Sequence, residues 1–307
     1  MSLRINNNIE SMNAHRNLLM NDRALSKSLE RLASGQKINR AADDPAALVI
    51  SEHMRAQVSG MEQAIRNNEV AISLVQTAEG SMNEISSILV SLRQRAISAA
   101  NVGASDQDMI DANQAEIENA LASIDRVVST TQFGHYKLLD GTNAAKTETN
   151  EDGSISTQEG LRFHVGPNAE HMASTSIRDM STSSLGRVTV PEGEMPNKSN
   201  FMSLADIDVR NEQGAQDALA IIDQALTEVA SVRGELGAFQ KHTLESNLTS
   251  LQVAAENMTA AESTIRDTDM AQELATFTRN QIMTQSATAQ LAQANAMPQH
   301  VLRLLNG

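Results

Sequence analysis

The chain has 307 residues, a formal charge of −14 and no cysteine. Its acidity disfavours nucleic acid and anionic membranes, both of which call for a basic face. The missing thiols remove disulfides, cysteine nucleophiles and cysteine-held metals together. Residues 1–66 carry slightly more Lys and Arg than Asp and Glu, so the acidity lies further along. With no Trp, one Tyr and five Phe, the large aromatics that dominate most cores are scarce, and thin helical layers are expected. A chain of this length has room for one to three domains. No stretch approaches 18 apolar residues, so no membrane insertion is expected. The first residues, Met1 to Asn8, lack the basic region and apolar core of a secretory signal, so any export would use a route without a cleaved signal.

A first helix is predicted over residues 5–33. Ile5, Met12 and Leu19 share one seven-residue spacing, and Leu18, Leu25 and Leu32 share another, with Leu29 between. Ser34-Gly35 supplies a left-handed stop. Asp43-Asp44-Pro45 then marks a start, an acidic cap followed by proline at the first helical position. From there a long helix reaches about Ala100, with or without a break near Ser59-Gly60. Its stripe runs Met61, Ile65, Ile72, Val75, Met82, and after one short step continues from Ile85 to Ala99. Asn101-Val-Gly103 breaks it, and Ser105-Asp-Gln-Asp108 resembles a capping box. The next helix is expected to bury Ile110, Ile117, Leu121, Ile124 and Val128.

Character changes after Phe133. Asp140-Gly141 and Asp152-Gly153 are turn dipeptides. Leu161, Phe163 and Val165 alternate with polar residues, a strand signal closed by Gly166-Pro167. Val188-Thr-Val190 and three of the five prolines also fall within 142–205, which reads as hairpins and loops. Helix returns near Gln213 and carries Leu219, Ile222, Leu226, Val229 and Leu236, then Leu244, Leu248 and Leu251. Asp267-Thr-Asp269 marks a restart. The last segment is rich in Ala, Gln and Thr, with Leu274, Phe277, Leu291, Val301, Leu302, Leu304 and Leu305 as apolar positions.

Such stripes are the seams of coiled coils. At about 1.5 Å per residue the two main helices would be roughly 65 and 75 Å long, beyond what a compact core needs. The expected fold class is mainly α: a long antiparallel helical coiled-coil rod with a small β-hairpin region in the middle of the chain. The terminal stripes are thin. Burying a large aliphatic residue is worth roughly 1.5–3 kcal/mol, against roughly 1–2 kcal/mol per residue for ordering the backbone. About seven such residues cannot offset a segment nearly forty long, so both ends are expected to fold only when packed against other copies.

Signals for chemistry are weak. The seven histidines (His15, His53, His135, His164, His171, His242, His300) show no ligand spacing, and no cofactor is expected. Asp206, Asp208 and Glu212 lack the glycine position of a calcium loop. There is neither a Gly-x-Ser-x-Gly nor a Gly-x-Gly-x-x-Gly motif, so no catalytic residue is assigned. Asn197, Asn247 and Asn257 sit in Asn-x-Ser/Thr sequons that chance explains, two of them in predicted helix.

The stretch Ser28-Leu-Glu-Arg-Leu-Ala-Ser-Gly-Gln-Lys-Ile-Asn-Arg-Ala-Ala-Asp-Asp-Pro-Ala-Ala-Leu48 resembles the N-terminal signature of bacterial flagellins. Three later stretches resemble that family's other end: Arg233-Gly-Glu-Leu-Gly-Ala-Phe-Gln240, the run Glu256 to Asp269, and Leu291 to Leu302. The likeness covers roughly 1–142 and 206–307, and Leu161–Asn168 and Asp179–Leu185 look like the family's hairpin region. The resemblance implies a non-enzymatic filament subunit for motility, self-assembling by coupled folding of its terminal helices. With only a short gap from Gly186 to Ser203, a near-minimal form without large outer domains is implied.

The implied domains are 1–42 and 267–307 as the two halves of a terminal coiled coil, and 43–142, 143–205 and 206–266 as the core. The implied subunit interface is Ile5, Met12, Leu18, Leu25, Leu29, Leu32, Leu274, Phe277, Leu291, Val301, Leu302, Leu304 and Leu305. Implied partners are further copies of the chain, an export chaperone, hook-associated and cap proteins, and the flagellar type III export apparatus. The implied location is a secreted filament, extracellular or periplasmic. In flagellins a Toll-like receptor of animal hosts grips an Arg and a Leu on one core helix and a Glu on the next. Matching the motif places Ser91 and Arg95 at the first two positions and keeps Glu116 at the third. Two alternatives stand beside this reading. A hook–filament junction protein of the same superfamily is one. A receptor-type signalling coiled coil is the other, and the β-like middle and missing membrane span count against it.

Overall fold

Asp44, Pro45 and Gly35 set the first two helices. A computed structural model describes residues 8–101, 106–144, 146–149, 155–158, 160–187 and 197–305. In chain order these form α1 (Ile9–Ser34), α2 (Pro45–Ala100), α3 (Gln107–Thr130), β1 (Gln132–Phe133), β2 (Tyr136–Lys137), β3 (Lys146–Thr149), β4 (Ile155–Gln158), β5 (Leu161–His164), β6 (Met172–Thr175), α4 (Glu212–Ala238), α5 (Ser246–Arg266) and α6 (Met270–Leu305). A 3-10 turn at Leu204–Asp206 precedes α4, and a π turn at Phe239–Glu245 joins α4 to α5 without a break. The fold is mainly α, and among the described residues strands occur as two-stranded antiparallel pairs, β1–β2, β3–β4 and β5–β6. The chain divides into two compact units: Met1–Ser59 with Ala255–Gly307, and Gly60–Ala254.

The local signals act through specific bonds. Gly35 adopts φ 71° and its N–H reaches the Arg31 carbonyl, ending α1. The Asp44 carboxylate accepts the Ala47 N–H at 3.0 Å, capping α2. Asp269 accepts the N–H groups of Ala271 and Gln272, capping α6. The expected capping box before α3 falls partly outside the described residues. The helix starts after Asp106, whose side chain makes no cap bond, and Ser105 lies outside the described residues. No break occurs at Ser59-Gly60. A Cβ on Gly60 would lie 3.2 Å from the Pro167 Cβ, so the missing side chain lets the β5–β6 turn approach the helix.

Among the described residues the Gly60–Ala254 unit holds one apolar core, contributed by α2, α3, α4, the residues after β2 and the strap segments 177–187 and 197–209. From Met61 to Ala99 every third or fourth residue of α2 is buried, with no skipped step. Ala64, Asn68, Ala71 and Ala78 hold the places between the large residues of the stripe. Ile65 and Ile72 sit half-buried beside them. Small residues at such a seam let helices approach closely. In α3 the buried aliphatics are Ile110, Ile117, Leu121, Ile124 and Val128, as the spacing predicted, joined by Asn113 and Gln114.

On α4 the buried ladder steps by three and four from Ala215 to Leu236, then jumps eight to Leu244 and seven to Leu251. One residue too many for an α-helix is taken up by the π turn. Without it Leu244 would be rotated by about 80° from the core face. The hairpin β5–β6 docks at this turn. Phe163 meets Phe239 at 6.2 Å between ring centroids, and the Asn247 side chain donates to the Val165 carbonyl at 2.5 Å. Asn67 and Asn68 donate to the carbonyls of His164 and Val165. The pair β3–β4 falls within 142–205, read from the sequence as hairpins and loops, whereas β1–β2, around Gly134 at φ 63°, was not legible there. Asp152-Gly153 and Val188-Thr-Val190 lie outside the described residues.

Carboxylates and one amide hold the strap onto the helices. Asp125 accepts the Thr182 N–H and hydroxyl, Glu228 accepts the Gly186 N–H, and Asp217 accepts both the N–H and hydroxyl of Ser199. The buried Gln114 amide spans the strap backbone, donating to the Ile207 carbonyl and accepting the Val209 N–H.

Candidate functional site

The two terminal helices, α1 and α6, pack against each other with their chains antiparallel. Asn8 donates to the Ala294 carbonyl at 2.7 Å, and Ser11 to Asn295 at 2.6 Å. Further along, Asn21 donates to the Met283 carbonyl and Asn280 to the Ser28 hydroxyl. At the far end Arg31 faces Glu273 at 3.5 Å. Among the described residues of the pair, the buried side chains are Ser28, Glu273, Ala287 and Ala294. None is a large apolar residue.

The expected interface residues divide between two faces. Leu18, Leu25, Leu32, Phe277 and Leu291 are half-buried, at positions three or four residues from the buried or hydrogen-bonded ones. Met12, Leu29 and Leu274 are exposed, with Ile9, Leu19, Met20, Ile282 and Met283. Thus the two seven-residue registers of α1 are two faces: Leu18-Leu25-Leu32 turns toward the partner helix and Met12-Leu19 toward solvent. Along α6, Ala271, Leu274, Ala275, Thr278 and Ile282 line a shallow apolar groove. Ile5 and the side chains of Val301, Leu302, Leu304 and Leu305 lie outside the described residues, although the α6 backbone runs to Leu305. Sequence reading passed over Ser28, Glu273, Asn280 and Ala287. The signal was present as a heptad of small and polar residues, hidden because only large apolar residues were counted.

Where α1 and α6 meet the ends of α2 and α5, the chain is tied by backbone and charge. The Lys37 N–H donates to the Arg266 carbonyl at 2.7 Å and the Thr268 N–H to the Gly35 carbonyl at 3.0 Å. Arg266 pairs with Glu52 at 2.8 Å, and Lys27 with Asp43 at 2.6 Å. The Lys27 hydrogen bond holds the Asp43 carboxyl below its ordinary range; burial opposes this, and the Arg40 and Asn39 N–H groups assist.

The other expected surface lies on α2 and α3. Ser91, Arg95 and Glu116 are all exposed, and Arg95 reaches Glu116 at 2.7 Å. Arg93 turns the other way, to Asp223 on α4 at 2.6 Å. That carboxylate raises the Arg93 pKa. Of the three sequons, Asn197 spends its amide on the Phe201 backbone in both directions and Asn247 on Val165. Among the described residues no three His, Asp or Glu side chains are grouped to hold a metal ion, and no helix is long and apolar enough to cross a membrane.

Residues 5–144 match the family model of the bacterial flagellin N-terminal helical region, and residues 219–305 that of the C-terminal helical region. The chain belongs to the bacterial flagellin family. It is 40% identical to a flagellin of Bacillus subtilis (strain 168), over 99% of this chain and 100% of that one. It is 39% identical to the flagellar filament 30.7 kDa core protein of Treponema maltophilum, over 98% and 99%. Among solved structures, a protein assigned as a flagellar hook-associated protein from Vibrio parahaemolyticus matches with a TM-score of 0.56 at 14% identity, covering 73% of this chain and 100% of that one. That likeness is one of fold alone.

Proposed function

We infer that this structural subunit of the flagellar filament assembles through the outward faces of α1 and α6. One observation carries the reading: among its described residues the helix pair fully buries only serine, alanine and a carboxylate, half-buries Leu18, Leu25, Leu32, Phe277 and Leu291, and leaves Met12, Leu19, Leu29, Leu274 and Ile282 in water. A pair arranged in that way lacks the burial that would offset its own ordering. It gains that burial when neighbouring copies cover the outer faces, and a repeated contact that does not close on itself builds an open helical filament. Folding of the ends is then coupled to assembly. Limited proteolysis before and after polymerisation tests this. The ends are expected to be cut in the free subunit and protected in the filament; equal resistance in both states refutes the coupling.

Membership of the family supports further roles for this chain. An export chaperone would cover the C-terminal segment before assembly, the flagellar type III apparatus would carry the chain out, and cap and hook-associated proteins would bound the filament. The filament would stand outside the cytoplasm, extracellular or periplasmic. The hook–filament junction reading shares the fold, and bulk polymerisation from seeds separates the two. At the receptor surface, Ser91 offers no guanidinium and Arg95 already occupies Glu116. Loss of a multi-donor anchor removes a hot spot, so activation of the flagellin-sensing Toll-like receptor would be weak.

A further inference from the structure

The chain has 15 methionines and no cysteine or tryptophan. Its thioethers are therefore the side chains most open to a mild oxidant. They are not evenly placed. Met82 and Met180 are sealed in the core of the Gly60–Ala254 unit, and Met61 is buried further along α2. On the terminal helices, by contrast, Met12, Met20, Met270 and Met283 are 50–68% exposed. They share those helices' solvent faces with Leu19, Leu274 and Ile282.

We propose that Met12, Met20, Met270 and Met283 are oxidation sites whose conversion to sulfoxide by peroxide blocks filament growth. The proposal rests on the assembly reading above. In the reaction a sulfur lone pair attacks one peroxide oxygen and the O–O bond breaks. Sulfur gains an S–O bond and loses two electrons, and the other oxygen leaves as water. The product is polar and chiral where the thioether was apolar and adaptable. Placed on a face that must be covered by a neighbouring copy, each sulfoxide brings a strong acceptor into an interface without a donor assigned to it. Growth is thereby opposed before assembly, while a finished filament shields the same sulfurs. Reduction by methionine sulfoxide reductase reverses the block.

The full-length protein is treated with hydrogen peroxide as free subunit or as filament, the sites are mapped by peptide mass, and seeded growth is followed by sedimentation. Untreated protein that fails to grow from seeds overturns the assembly reading itself, whatever oxidation does. Given normal untreated growth, oxidised subunit is expected to show a critical concentration raised at least about tenfold, equivalent to ~1.4 kcal/mol. The four sites are expected to react in the subunit and to be protected in the filament. A variant carrying Met12→Leu, Met20→Leu, Met270→Leu and Met283→Leu, with volumes nearly kept, should grow after peroxide. One carrying Met109→Leu, Met172→Leu and Met202→Leu, which removes exposed methionines of the other unit, should remain blocked. Should the fourfold variant fail to grow untreated, reductase treatment of oxidised wild type decides, recovery supporting the proposal and persistent block overturning it. Unchanged growth of oxidised wild type, or protection by the second variant instead of the first, also overturns it.

Discussion

Exchanging Leu274 and Ile282 for glutamine removes apolar surface from the outer face of α6 while keeping good helix formers in place. In the single chain each residue leaves 57% of its surface in water, so a little over half of its burial energy is unused. Full burial of such a side chain is worth ~1.5–3 kcal/mol, which leaves about 0.9–1.7 kcal/mol for each to gain on assembly. The double variant therefore withholds ~1.7–3.4 kcal/mol from every subunit added. At ~1.4 kcal/mol per tenfold, the critical concentration should rise about 15- to 300-fold. Sedimentation of seeded filaments over a concentration series reads this directly, and calorimetry checks that the Gly60–Ala254 unit, which contains neither residue, melts as in the parent. If the unit melts normally and the critical concentration does not move, the outward face is not an assembly surface.

Removing residues 298–307 should abolish filaments without altering the core melt; normal filaments by electron microscopy would contradict this. Ile117 is fully buried in the main core, so Ile117→Ala should lower stability by ~2–5 kcal/mol in urea unfolding, as large-to-small core changes do. Burial alone would raise the Asp217 pKa, but hydrogen bonds from Ser199 and Gln213 outweigh it and hold the carboxyl below its ordinary range. Its contribution is thus present above the unfolded-state value and lost as pH falls through the depressed folded one. Asp217→Asn should therefore destabilise the chain at neutral pH, with the gap to the parent closing in acid on thermal melts; a gap that widens in acid would reverse the sign. Ser91→Arg with Arg95→Leu should raise receptor activation in reporter cells, and a parent protein as potent as typical flagellins would remove the reasoning.

The sequence by itself determined where the helices begin and end, because the signals are local. Gly35 can adopt φ 71°, Asp44 and Asp269 can cap from their own side chains, and the buried aliphatics of α3 repeat within one helix. It also carried the family, since separate motifs stand in order along both arms. Tertiary structure alone decided which apolar stripe faces inward. Leu18-Leu25-Leu32 and Met12-Leu19 have the same spacing in the sequence, and only the position of α6 makes one a seam and the other a surface. Ala64, Ala71 and Ala78 likewise look neutral until a neighbouring element comes close enough to bury them. The extra residue before Leu244 is invisible to a helical period, because the π turn that absorbs it is fixed by the core on either side. Spacing is a property of one helix, whereas burial belongs to the elements that meet.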